Sequence, residues 1–190
     1  VTTDAVKTQP QPGLPQPGHP RPGHPRPGLH VAMPADLPAD SYGRRMVEAL
    51  RAAGAGMTIH ALPGPHPRVD PSAILAADVA LARLPDGATV LLDGNALFNL
   101  AASLPADHRR LRLSALVERL HWSDPALAAD EAAVRHNLEQ GVLSLMRRIV
   151  VPDGATAGAV QALGMRPDRL VLAAADGEGA AALLAALSME

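Results

Sequence analysis

From residue 29 onward the chain switches repeatedly between short β-prone apolar runs and stretches with helical periodicity. Leu29–Met33 (LHVAM) predicts a first strand, PADLPADS a loop, and Ser41 or Asp40 a cap for a helix from about Tyr42 to Ala53. Met46, Val47, Leu50 and Ala53 share one face of that helix, and Gly54 and Gly56 end it. Met57–Leu62 alternates like a strand and is stopped by PGPHP; Ser72–Leu84 is an Ala-rich helix offering Ile74, Leu75, Val79 and Leu81 for burial. Thr89–Leu92 is a buried strand, Asp93-Gly94 a turn, and helical character resumes from Asn95 to Leu100. Leu111–Val117 is the next strand. Pro125–Arg148 then reads as mostly one helix, with charge and His136 outward and Leu138, Val142 and Leu145 inward. Ile149–Val151 (strand), Ala155–Leu163 (helix, ended by Gly164), Leu170–Ala173 (strand) and Gly179–Ser188 (helix) complete the pattern.

This alternation predicts an α/β fold: a single Rossmann-like, doubly wound, mostly parallel sheet with helices on both faces. In such sheets ligands bind beyond the carboxyl ends of the strands, which makes Asp93-Gly94 a candidate cleft edge. An Asp at a strand's end also serves as a helix cap, so both roles are open for Asp93.

Ahead of this domain (29–190) lies an arm, residues 1–28, that follows different rules. Pro10–Leu29 holds four pentapeptides in register, PQPGL, PQPGH, PRPGH and PRPGL. Proline removes an amide donor at two of every five positions and glycine interrupts polyproline geometry, so neither helix nor sheet forms. Two readings are open: a solvated tail, or an extended ligand for a groove on a larger protein subunit, contacted through Pro12, Pro17, Arg21, Pro22, Arg26 and Pro27. His19, His24 and His30 recur at spacings of five and six, which in a Pro-rich chain gives no fixed ligand geometry, and no metal is expected.

Composition narrows the function classes. The chain has 190 residues, so that about 160 outside the arm suffice for one domain with a full core. Its 47% hydrophobic content includes only three aromatics, Tyr42, Phe98 and Trp122, which leaves few platforms for stacking bases, so no nucleic-acid partner is expected. Lys7, Arg21 and Arg26 against Asp4 give the arm +2, which leaves −4 of the net −2 for the body. The absence of cysteine excludes disulfides and thiolate chemistry. No apolar run reaches the roughly 18 residues of a membrane span. The N-terminus resembles neither a secretory signal nor a transit peptide, and a cytoplasmic protein is expected.

The order DSYGRRMVEALRAAG, ALPG, LARLPDGATVLLDGNAL, RRLRLSALV and RRIVVPDGATAGAVQALGMRPDRLVLAAAD resembles the N-terminal half of family 4 glycosyltransferases of the GT-B fold, across about Leu29–Asp176. The resemblance implies an acceptor-side domain facing a separate donor domain that holds a nucleotide-sugar. It also implies retaining transfer of the sugar to an acceptor hydroxyl. Candidate ligand-binding residues are then Gly43, Asp93, Gly94, His121 and Trp122, the last because an indole face suits a sugar ring.

Three departures accompany the likeness. The family's paired glycines after the first strand are replaced by Ala39, Asp40 and Ser41, with only Gly43 nearby, and a carboxylate there opposes a diphosphate. Glu118-Arg119 stand where the family carries a histidine, and His121 follows a few residues later. The chain also stops, at SME, where the donor domain would begin. Glu131 and Glu139 form a literal E-x7-E, read as a solvated helix face with partners such as Glu131–Arg135; Arg44-Arg45 reads as a surface pair. The expectation is a non-catalytic accessory subunit that docks on a larger enzyme through its arm and apolar helix faces, with no catalytic residues and no cofactor. The alternative is the acceptor half of a retaining transferase, with a nucleotide-sugar donor.

Overall fold

The computed structural model describes residues 28–189. The pentapeptide positions Pro12, Pro17, Arg21, Pro22, Arg26 and Pro27, with His19 and His24, lie outside them. Six strands, β1 (Leu29–Pro34), β2 (Met57–Leu62), β3 (Thr89–Asp93), β4 (Arg112–Leu116), β5 (Arg148–Val151) and β6 (Leu170–Leu172), form one parallel sheet in the order β2-β1-β3-β4-β5-β6. The connecting helices are α1 (Tyr42–Ala52), α2 (Pro71–Ala82), α3 (Leu97–Leu100), α4 (Leu104–Asp107), α5 (Ala129–Ser144), α6 (Gly154–Ala162) and α7 (Gly177–Ser188).

The central strands read as continuous apolar runs because both faces are covered. Val90, Leu92, Leu113, Ala115, Ile149 and Val151 point into one core, closed by α2, α3, α5 and α6. Val31, Met33, Leu91, Leu116 and Val150 point into the other, closed by Met46, Val47 and Leu50 of α1 and Ala180 and Leu183 of α7. Each large aliphatic side chain so buried contributes roughly 1.5–3 kcal/mol. From β1 the chain turns through α1 to β2 on one side, and β3 lies on the other. The winding therefore reverses between β1 and β3, and the loops leaving those strands diverge to opposite faces and open a crevice.

The doubly wound fold follows the sequence reading, and the differences lie in which residues face inward. α2 turns Ala73, Ala77 and Leu81 to the sheet, leaves Ile74 half-buried, and leaves Leu75 and Val79 64% and 39% exposed. Small residues at helical spacing let the helix approach the sheet, and the larger ones are rotated out. The long helix begins at Ala129 rather than Pro125 and ends at Ser144. On it Val142 and Leu143 are buried, Leu138 and Leu145 are half-buried, and His136 faces inward enough to meet Trp122 edge-on. The Asn95–Leu100 helix is a 3-10 turn, Gly94–Ala96, followed by α3, and α4 was not visible in the pattern. Ala53 is exposed, while Tyr42 and Gly43 join the buried face of α1.

His30 lies in β1, with Nδ1 3.0 Å from Nε2 of His60 on β2; burial and then the neighbouring imidazole hold His60 below its ordinary range. Among the described residues no helix is long and apolar enough to cross a membrane.

One central-strand residue carries a polar group that the fold does not use. Ser114 on β4 is fully buried and its hydroxyl has no partner among the described residues. Ser114→Ala is therefore expected to raise the unfolding free energy by about 1 kcal/mol in urea titration.

Candidate functional site

The β1/β3 crevice is a cleft of about 600 Å³, within the size range of small-molecule sites. Its walls come from the loop after β1 (Asp36, Leu37), the start of α1 (Ser41, Tyr42), the loop after β2 (His66, Pro67), the end of β3 (Asp93, Gly94, Asn95) and the segment after β4 (Glu118, Arg119, His121).

Asp93 closes the floor. It is 3% exposed, and its Oδ1 accepts the backbone N–H and the side-chain amide of Asn95, both at 2.9 Å, which makes it the cap of the following 3-10 turn. Its Oδ2 rests against the backbone of Gly43, where a Cβ would collide with it. The missing side chain at 43 thus makes room for a carboxylate of the chain itself. Gly94 is needed for a related reason: a Cβ there would lie 2.9 Å from the Leu116 carbonyl oxygen on the neighbouring strand. Close packing, rather than turn geometry, explains this glycine.

Burial pushes the Asp93 carboxyl above its ordinary range, the Asn95 bonds lower it, and the charge of Glu118 raises it further. A raised folded-state value means that this group's contribution to stability is complete below the unfolded value, near pH 3.9, and is lost as pH rises through the folded value. Asparagine caps as well as aspartate and carries no charge. Asp93→Asn is therefore expected to stabilise the domain by about 1 kcal/mol at pH 7, with the gain vanishing below about pH 4 in thermal unfolding followed against pH.

Glu118 turns back on α1, where its Oε2 accepts the Tyr42 N–H at 3.3 Å. The Tyr42 hydroxyl donates to the Ala173 carbonyl at 2.7 Å and ties α1 to the end of β6; burial holds its phenol well above its ordinary range. Arg44 does not stand free as half of a surface pair. Its guanidinium donates to the carbonyls of Leu37 (3.2 Å) and Ala35 (3.0 Å) and so shapes the β1–α1 loop, while Arg45 is exposed.

The β2–α2 loop is held from beneath by Asn99 of α3, which is fully buried. Its Oδ1 accepts the Asp70 N–H at 2.9 Å, and its Nδ2 donates to the Arg68 carbonyl at 3.0 Å and lies 3.2 Å from His66 Nδ1. This places His66 and Pro67 over the cleft.

Opposite, His121 and Trp122 are positioned by Glu139. Far from lying on a solvated face, Glu139 is 4% exposed, and its carboxylate accepts the backbone N–H groups of His121 (2.8 Å) and Trp122 (2.9 Å). Glu131 does sit at the surface, paired with Arg135 at 2.8 Å. The His121 ring packs against Phe98 at a centroid distance of 5.5 Å. Burial, then Arg119 and Arg135, push it down to about 4, so it is neutral at pH 7. Of the five candidate residues, Asp93, Gly94 and His121 line the cleft; Gly43 supports it from behind. Trp122 does not line it: the indole is half-buried against the helical core and meets His136 edge-on at 5.0 Å.

Four of the helix N-termini at this edge, ordinarily seats for anions, are taken by the chain's own oxygens, whereas α5 has no side-chain cap at Ala128. Ser41 caps α1 at Arg44 N (3.4 Å), Asp153 caps α6 at Thr156 N (2.8 Å), and Asp176 caps α7 at Gly179 N (2.8 Å). Asp70 does the same for α2 at Ser72 N and Ala73 N. Among the described residues no three His, Asp or Glu side chains converge as a metal-holding group.

The sequence missed Asn99, Glu118, Glu139 and Tyr42. The only signal for Asn99 and Glu139 was a polar residue within an otherwise inward-facing helical stretch, which many solvated positions share. The chain matches no protein-family model and no curated protein sequence.

Proposed function

We propose that this chain is a glycosyltransferase-like, acceptor-side domain whose cleft takes the hydroxyl-bearing partner of a group transfer and leaves the nucleotide diphosphate to be held elsewhere. One observation carries this reading. The cleft lies at the reversal of the winding and keeps a buried carboxylate, while the amides that would seat a phosphate there are occupied by Ser41, Asp93 and Glu118. Hydroxyls suit such a wall: Asp93 accepts from them, and the neutral imidazole of His121 either donates or accepts. A diphosphate would face the Asp36, Asp93 and Glu118 carboxylates with Arg119 as the single guanidinium lining the cleft among the described residues.

Calorimetry with uridine and guanosine diphosphates beside a hexose tests this directly. Weak sugar binding with no nucleotide binding is expected. Tight binding of either nucleotide to the isolated chain would replace this reading with a donor-binding one.

A second reading, an accessory subunit docking on a larger enzyme, is favoured by the apolar outer surface around α2, where Val69, Leu75 and Val79 are exposed. Loss of a stoichiometric enzyme partner on Leu75→Glu, with sugar binding intact, would carry that reading instead.

A further inference from the structure

We infer that the ligand of the cleft carries a protonated amine beside its hydroxyls, seated against the paired carboxylates of Asp93 and Glu118, with the His121 imidazole meeting a neighbouring hydroxyl. The inference rests on the cleft being the acceptor site and adds the charge of what it accepts.

The two carboxylates come from the end of β3 and the segment after β4 and reach adjacent residues of α1. Glu118 reaches the Tyr42 N–H, and Asp93 Oδ2 lies against Gly43. Two like charges brought this close disfavour each other's ionisation, and Glu118 acts on Asp93 in that sense. The His66 imidazole offsets the Glu118 charge at Asp93 to a smaller degree, and the guanidinium groups nearby do not pair with either carboxylate. Arg44 is committed to the Ala35 and Leu37 carbonyls. Arg119 lines the cleft, yet no hydrogen bond or ion pair joins it to either carboxylate among the described residues. Asp36 adds a third carboxylate to the wall, against that one guanidinium. Asp93 Oδ2 also lacks a hydrogen-bond donor among the described residues, whereas Oδ1 has two. An ammonium group supplies both the missing donor and the missing charge.

An independent observation at the same cleft points to a ligand. His121 is 6% exposed and lines the cleft, yet neither imidazole nitrogen has a hydrogen-bond partner among the described residues. Its nitrogens are therefore open to the cleft and free to meet a ligand, and His66 Nε2, in the same lining, is buried with no partner among the described residues. The His121 ring is neutral and can serve a hydroxyl, while its backbone is fixed by Glu139.

Glucosamine, glucose, N-acetylglucosamine and uridine diphosphate, titrated calorimetrically into the full chain, test this. The three sugars share a ring and differ in the amine. Glucosamine is expected to bind about tenfold tighter than glucose or N-acetylglucosamine, and to lose that advantage in Asp93→Asn and Glu118→Gln. Asp93→Asn keeps its helix cap and remains folded, which thermal unfolding of the same sample verifies. Equal binding of glucose and glucosamine, insensitive to both substitutions, would overturn the amine while leaving the acceptor reading in place. Preferred binding of uridine diphosphate would overturn the acceptor reading itself. Binding of no sugar at tens of millimolar would overturn both.

Discussion

Asn99→Ala is expected to lower the unfolding free energy by about 3 kcal/mol and the midpoint of thermal unfolding by roughly 6–12 °C, the largest loss from any single cleft-supporting residue. The side chain satisfies the Asp70 N–H and the Arg68 carbonyl and meets His66, three positions on one loop that share no other anchor among the described residues. Each neutral bond is worth about 1 kcal/mol, and a buried group left unpaired costs more. Asn99→Asp separates this strap from simple packing. It keeps the volume and the acceptor for Asp70 but turns a carboxylate toward the Arg68 carbonyl, so it is expected to rescue little. Sugar binding should weaken with both variants, because His66 and Pro67 then lose their place over the cleft. An Asn99→Ala protein within about 0.5 kcal/mol of the parent in urea titration would show that the loop holds itself.

Glu139→Ala is expected to cost about 2–3 kcal/mol. The two amides it serves belong to consecutive residues at the start of a 3-10 turn, and a charged acceptor makes each bond worth roughly 1.5–3 kcal/mol. Against this stands the burial of the carboxylate, which holds the group above its ordinary range and whose relief returns part of the loss. Glu139→Gln keeps one acceptor and presents its NH2 to the second amide, so about half the loss is expected. Denaturant titration of the two variants side by side checks the order. Because the same carboxylate sets the His121 backbone, both variants should also weaken sugar binding more than Glu131→Gln, which alters only an exposed pair.

The parallel sheet was legible because strands buried on both faces write themselves as short apolar runs, and the punctuation by glycine, proline and capping residues is local. Thr89–Leu92 needed nothing beyond its own residues, and Met57–Leu62, at the sheet edge and only partly buried, was legible from its alternation instead. Helix orientation was less legible, since it depends on what lies opposite. The sequence offers Ile74, Leu75, Val79 and Leu81 of α2 for burial; Leu81 is buried, but the sheet otherwise accepts Ala73 and Ala77, because alanines permit the closer approach. Polar residues inside helices were least legible of all. Glu139 and Glu131 are indistinguishable by type and spacing; only the amides of His121 and Trp122, 18 and 17 positions earlier in the chain, separate them.

The candidate site divided along the same line. Asp93 was visible as the residue at a strand's end, and its two roles, cap and cleft floor, coexist because each oxygen takes one. Gly43 was offered as a candidate ligand-binding residue, but the space its missing side chain leaves is filled by Asp93. Glu118 and Asn99 were invisible as site residues, since each acts on an element far away in sequence: Tyr42 lies 76 positions from Glu118, and Asp70 lies 29 from Asn99.

The chain has a single tryptophan, and its position makes the molecule its own optical reporter. Trp122 shares Glu139 with the cleft-lining His121 and meets His136 edge-on at 5.0 Å. Its emission is therefore sensitive to a joint that links the helical core to the cleft. Ligand seating and loosening of the Glu139 joint are both expected to change the emission of an unlabelled sample.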